Sequence, residues 1–233
     1  MNRLVFSFLL LTAVISSADI PMPSGNIAQS KGLNGGVGFG TLNSSKCKTL
    51  FTWTGHADYS YSSLVSSGVS IKFSGGTLDS INSVVSQRYS LNVMFNKILP
   101  EHALYIGPVF SFDNTDLQEL MDDFSQIGSS HAREQTVCSE GFSEIGASIG
   151  YKSGIGFLLT PDWGLSFGQN TDFMFSGSYL FSASISAAFN LRNQFEKLIE
   201  NTRNVWVSIE YFTSFTKKSF GTHSIIFGLS LGF

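Results

Sequence analysis

The chain has 233 residues and a formal charge of −3, with 14 Lys+Arg against 17 Asp+Glu. That balance offers no basic surface for a nucleic-acid partner. Only 13% of residues are charged, about half of what a soluble domain carries, and after the first twenty residues no apolar run is long enough for a spanning helix.

Residues 1–18 read as a cleaved secretory signal. Arg3 supplies the positive end, "LVFSFLLLTAVI" the apolar stretch, and Ser16 and Ala18 the small residues before the cut. The apolar stretch is too short to span a bilayer, which takes roughly 20 residues. Residues 19–33, "DIPMPSGNIAQSKGL", have no periodicity and contain two prolines, so they read as a flexible N-terminal segment.

From residue 34 to 233 the pattern has period 2, the repeat of a strand whose two faces meet different surroundings. In chain order the candidate strands are 35–43, 50–63, 68–74, 87–96, 102–112, 143–151, 154–159, 172–190, 204–214 and the C-terminal strand. That makes about ten, or eight if the Gly-rich first one stays unpaired and "TPDWG" at 160–164 breaks another. Pro108 weakens the fifth, because proline cannot donate to a ladder. The longest run of alternation, 172–190, sets Phe173, Phe175, Tyr179, Phe181, Ile185 and Phe189 against a file of serines. The intervening "KSG" (152–154) and "GLSFGQN" (164–170) read as links, as do the long stretch 113–138 and the charged 191–203. Two apolar stripes at helical spacing, Leu117/Leu120/Met121/Phe124 and Phe195/Leu198/Ile199, suggest short helical turns within links.

The small face decides what the large one meets. A soluble sheet is coated with Lys, Glu, Arg and Thr on its wet side. Here that side is Ser, Gly, Ala and Asn, which suit the inside of a narrow closed barrel. The bulky face then meets lipid, and closure follows because no backbone group can stay unpaired in hydrocarbon. Tyr89, Phe95, Tyr151, Phe173, Phe189 and Tyr211 would form aromatic girdles. The fold class is therefore all-β, a transmembrane up-and-down antiparallel barrel. Asp58, Lys72, Arg88, Glu144 and Glu210 fall on the small phase and are expected to form a lumenal charge network. Cys47 and Cys138 lie in links expected on the same outer side; a disulfide between them would close a loop of about 90 residues.

The chain ends "HSIIFGLSLGF", with Ile225, Phe227, Leu229, Leu231 and Phe233 on one phase. Together with the signal peptide and the alternation, this ending resembles the small bacterial outer-membrane β-barrels of the OmpA-barrel, OmpX and opacity-type group. The resemblance implies an outer-membrane location and a C-terminal signal read by the outer-membrane assembly machinery. It also implies outer-membrane lipid as a partner, with an extracellular ligand or host surface at the loops. The expected role is structural or adhesin-like; the alternatives are a narrow porin-like channel, a lipid-modifying barrel enzyme, or a secreted soluble β-sandwich binding protein.

Nothing in the sequence asks for a cofactor or a metal. The four histidines occur as "HAD", "HAL", "HAR" and "HSI", none with the serine two residues on that barrel lipases use. His56 and Asp58 share a strand face, where structural pairing is the simpler reading than catalysis. The acidic run "DNTDLQELMDD" lacks the spacing of a calcium loop and reads as solvated. The expectation is a non-enzyme.

Overall fold

The computed structural model describes residues 19–44, 47–77, 82–119, 146–175, 179–192, 202–216 and 222–233. Two short strands, β1 (Ile20–Pro21) and β2 (Ile27–Ala28), pair with each other around a 3-10 turn at Pro23–Gly25. Ten longer strands follow: β3 (Gly32–Ser44), β4 (Cys47–Ser60), β5 (Val65–Thr77), β6 (Asn82–Ile98), β7 (His102–Glu119), β8 (Gly146–Thr160), β9 (Trp163–Met174), β10 (Tyr179–Asn190), β11 (Asn204–Thr216) and β12 (Thr222–Gly232). Each pairs antiparallel with its sequence neighbours, and β12 pairs with β3 to close the barrel. At 11 to 18 residues, every strand can cross a bilayer at a tilt, which takes about 9–11.

The alternation assigns the two faces as the sequence suggests. On β6, Tyr89, Leu91, Val93 and Phe95 are exposed on the outer wall, and Asn92 and Met94 are buried inside. The same holds on β12, where Ile225, Phe227, Leu229 and Phe233 are exposed and Ser224, Ile226 and Ser230 are buried. In a closed barrel an exposed outer wall of Phe, Leu, Ile and Tyr is a wall for lipid. Aromatic pairs mark both ends. Tyr59 meets Tyr61 and Trp163 meets Phe189 at the end that holds the termini, with ring centroids 5.0 and 4.8 Å apart. Phe173, Phe175 and Tyr179 are exposed near the other.

Ten strands are present, but several boundaries differ from the sequence reading. Segments 143–151 and 154–159 belong to one strand, β8, because "KSG" is no turn: Lys152 lies on the lumenal phase and pairs with Gly107 and Asn170. Conversely, 172–190 holds two strands. Chain reversal there puts Phe173 opposite Tyr179, six residues apart, so the period-2 pattern runs through the reversal undisturbed. The stretch read as a link at 164–171 is strand β9. The long link is shorter than expected as well, since β7 continues to Glu119 against Asn82 of β6. Asp113, Asp116 and Leu117 are thus in a strand rather than in an acidic loop or a helical turn; the rest of that stripe, and Phe195, Leu198 and Ile199, lie outside the described residues. Pro108 sits on the outer phase, and the ladder to β6 lapses between Asn92↔Val109 and Phe95↔Ile106 while keeping its register.

The largest departure concerns the N-terminal segment. Expected to be flexible, it is packed inside the barrel. Ile20, Met22, Ile27 and Ala28 are buried, with Ile20 wholly inaccessible. Ile20, Met22 and Ala28 pack with Met94, Ala103, Tyr105 and Val109, and Ile27 with Ala188 and Trp206. The barrel wall is cut to receive this plug. A Cβ added at Gly164 would lie 2.3 Å from Pro21 Cγ, and one at Gly168 would lie 2.8 Å from Pro23 Cβ. Burying three large apolar side chains is worth roughly 1.5–3 kcal/mol each, which offsets part of the cost of ordering the segment.

Candidate functional site

The buried polar and charged side chains of the strands gather in the lumen. Its lower half, toward the termini, is filled by the plug. Its walls carry hydroxyl pairs across neighbouring strands: Thr52 with Ser74, Ser90 with Ser111 and Ser166 with Ser186, each 2.9 Å apart. Small hydroxyls satisfy one another there and leave room for longer side chains.

The plug is fixed at both ends by polar contacts. At its start the Asn204 side chain donates to the Asp19 carboxylate. Burial holds the Asp19 carboxyl above its ordinary range, against the opposing pull of Arg203 and Arg192. At its tip, the Ser24 N–H lies 3.1 Å from both carboxylate oxygens of Glu210. Ser24 and Gly25 both have positive φ, 63° and 75°. This double left-handed turn aims the amide at the carboxylate and brings Gly25 against the His56 ring: a Cβ at Gly25 would be 2.8 Å from His56 Cε1. Asn34 adds a hydrogen bond of 3.4 Å to the Ile27 carbonyl.

Above the tip lies a cavity of about 170 Å³. Four of the five expected network residues, Asp58, Lys72, Arg88 and Glu210, line it; Glu144 lies outside the described residues. The sequence reading missed three others. Asp113 and Lys152 line the cavity, and Asp172 stands behind Arg88. The sequence pattern puts Asp113 in a loop and Lys152 in a turn, so neither carries a strand phase; for Asp172, at the head of the 172–190 run, the inward phase is the available signal.

The network is only partly paired. Arg88 bonds Asp172 and lies 3.9 Å from Asp113, its partner across β6–β7. Asn170 also donates to Asp172, at 2.6 Å. Lys72 places Nζ 4.3 Å from the Phe212 ring centroid, and Lys152 places its own 5.8 Å from that of Tyr105. Asn92 hydrogen-bonds Asp58, yet Asp58 Oδ2, Asn92 Oδ1 and His56 Nε2 are buried without a hydrogen-bond partner. Among the described residues no group of His, Cys, Asp and Glu is arranged to hold a metal. Cys47 opens β4, and Cys138 lies outside the described residues.

The terminal residues occupy the phase the sequence gives them. Phe233 closes the seam, its N–H donating to the Leu33 carbonyl at 2.8 Å.

With ten antiparallel strands in one closed barrel and an apolar outer wall, the chain has the architecture of the small outer-membrane β-barrels. No protein-family model matches it, and no curated protein matches it. Among solved structures it is similar to Neisserial surface protein A, at 11% identity and TM-score 0.41 over 87% of this chain and 97% of that one. It is also similar to Ail, the attachment invasion locus protein of Yersinia pestis, in a complex with a heparin analogue: 10% identity, TM-score 0.40, 88% of this chain and 98% of that one. A third is the outer membrane protein OprG from Pseudomonas aeruginosa, at 10% identity and TM-score 0.41 over 86% of this chain and 96% of that one.

Proposed function

We propose that the protein is an integral outer-membrane barrel, closed by its own N-terminal segment, that works as a structural or surface-interaction protein through the links at its outer end. The observation that carries this reading is the plug. Residues 20–28 pack apolar side chains against Tyr105, Val109 and Trp206 in the lower lumen, which supports a filled barrel over a wide pore. Five links leave the end opposite the termini, and the one between β7 and β8, residues 120–145, is the longest in the chain. A ligand or host surface would be met there.

This reading assigns no catalysis. His56 faces the lumen, and its Nε2 bonds no serine. His102 lies on the outer phase beside Phe157, with ring centroids 6.2 Å apart, and His223 bonds the Tyr211 hydroxyl at 2.6 Å.

The test has two parts. The full chain should fractionate with the outer membrane and shift on a gel when unheated, and a soluble, unshifted protein would overturn the barrel's location. Reconstituted in a planar bilayer it should be electrically silent; steady conductance would favour the channel reading. Deletion of 120–145 should then abolish surface binding while the heat shift stays.

A further inference from the structure

The cavity above the plug tip has a charge pattern that the closed-barrel reading does not use. Its wall carries three cations, Lys72, Arg88 and Lys152, and three carboxylates, Asp58, Asp113 and Glu210. Some of these are matched: Arg88 by Asp113 and Asp172, and Glu210 by the Ser24 amide. The remainder form no ion pair at salt-bridge distance among the described residues. Among the described residues, neither Lys72 nor Lys152 has a carboxylate oxygen within 4.0 Å. Asp58 is only 7% exposed and Asn92 only 8%; both residues line the cavity, and each has a buried oxygen without a hydrogen-bond partner.

Buried charges are costly unless paired and hydrogen-bonded, and an aromatic face answers an ammonium only in part. We propose that the cavity binds one small zwitterion. Its ammonium would be received by Asp58 and Asn92, and its anionic group by Lys72 and Lys152. A lone organic cation would leave both lysines as they are. A lone anion would leave Asp58 as it is, and a hard metal ion would need several converging oxygens and would sit beside two ammonium groups. A solute charged at both ends answers both the two lysines and Asp58.

The size agrees. One water needs roughly 10–15 Å³ on the same measure, so a cavity of about 170 Å³ has room for a small solute. The cavity reaches Leu42 and Thr222, near the outer ends of β3 and β12, so entry is from the outer end, away from the plug. The site does not depend on which surface the links meet.

The experiment is equilibrium dialysis of radiolabelled glycine against the full mature chain in detergent, with β-alanine, methylammonium and acetate as competitors. The expected result is one saturable site that β-alanine competes for and that either singly charged probe competes for at least tenfold less well. Asp58→Asn and Lys152→Met should each weaken glycine binding about tenfold while the heat-dependent gel shift is kept, and Lys97→Met on the exposed outer wall should change nothing. Ser90→Leu, which narrows the cavity without touching a charge, should abolish binding and stands in if either charge variant fails to fold. Absence of saturable glycine binding, competition by acetate or methylammonium equal to that by β-alanine, or wild-type affinity in the folded variants would overturn the proposal.

Discussion

The Ser24 amide and the Glu210 carboxylate, 186 residues apart, meet inside the barrel at 3.1 Å to each oxygen. One hydrogen-bonded contact thus ties the N-terminal segment to the penultimate strand. Hydrogen bonds to charged groups contribute roughly 1.5–3 kcal/mol. Glu210→Ala should therefore weaken plug docking by about 2 kcal/mol, or about thirtyfold at 1.4 kcal/mol per decade. Brief openings should appear in planar bilayers where the parent is silent. A folded variant that stays silent would mean that the apolar contacts of Ile20, Met22 and Ile27 hold the plug alone.

Gly25 tests the same tip sterically. Its φ of 75° disfavours any side chain, and a Cβ would lie 2.8 Å from His56 Cε1 and 2.9 Å from Ser230 Oγ. Gly25→Val should expel the tip without opening the wall, because every barrel pairing lies elsewhere. Hydrogen exchange should rise across residues 20–28 and stay unchanged in β3 to β12. Uniform exchange across both would show that the plug and barrel unfold as one unit.

The barrel was legible in the sequence because lipid imposes a strict rule on alternate side chains. Its boundaries were less so, for two reasons that cancelled in the count. Lys152 followed by Ser153 and Gly154 looks like a turn, yet it is an inward charge within β8. The reversal between β9 and β10 preserves phase, with Phe173 opposite Tyr179, so periodicity cannot register it. The plug was illegible because Ile20 and Ile27 sit in strands of only two residues, too short to show a period, and the glycines that seat it at 164 and 168 read only as small. The charge network was half legible: phase found Asp58, Lys72, Arg88 and Glu210, whereas pairing depends on which strands face one another across the lumen, and that is a property of closure.

The outer wall makes a quantitative prediction. Phe227 is 61% exposed on the apolar face of β12 and pairs with Phe39 and Ile209. An arginine on a lipid-facing site near mid-bilayer costs about 2–4 kcal/mol, so Phe227→Arg should lower the unfolding free energy in urea by that amount. Phe227→Leu should change it by less than about 1.5 kcal/mol. Equal stability of the two in lipid vesicles would mean that this face does not meet hydrocarbon.

Phe233 separates equilibrium stability from assembly. Its N–H bond to the Leu33 carbonyl, 2.8 Å long, is a single closing contact of the β12–β3 seam, worth about 1 kcal/mol on the usual scale. Its ring is 41% exposed and projects on the same wall as Phe227 and Leu229, so lipid contact adds a further modest share. Deleting Phe233 should therefore leave a barrel that refolds in detergent with its heat shift intact and a slightly lower urea midpoint. If the terminal aromatic is also what the assembly machinery grips, the folded fraction in the outer membrane of cells should fall by tenfold or more, far beyond what that equilibrium loss explains. Phe233→Ala keeps the backbone bond and should show the same in-cell defect, whereas Phe233→Tyr should restore assembly. A folded fraction in cells that tracks only the urea midpoint across the three variants would reduce Phe233 to a seam residue.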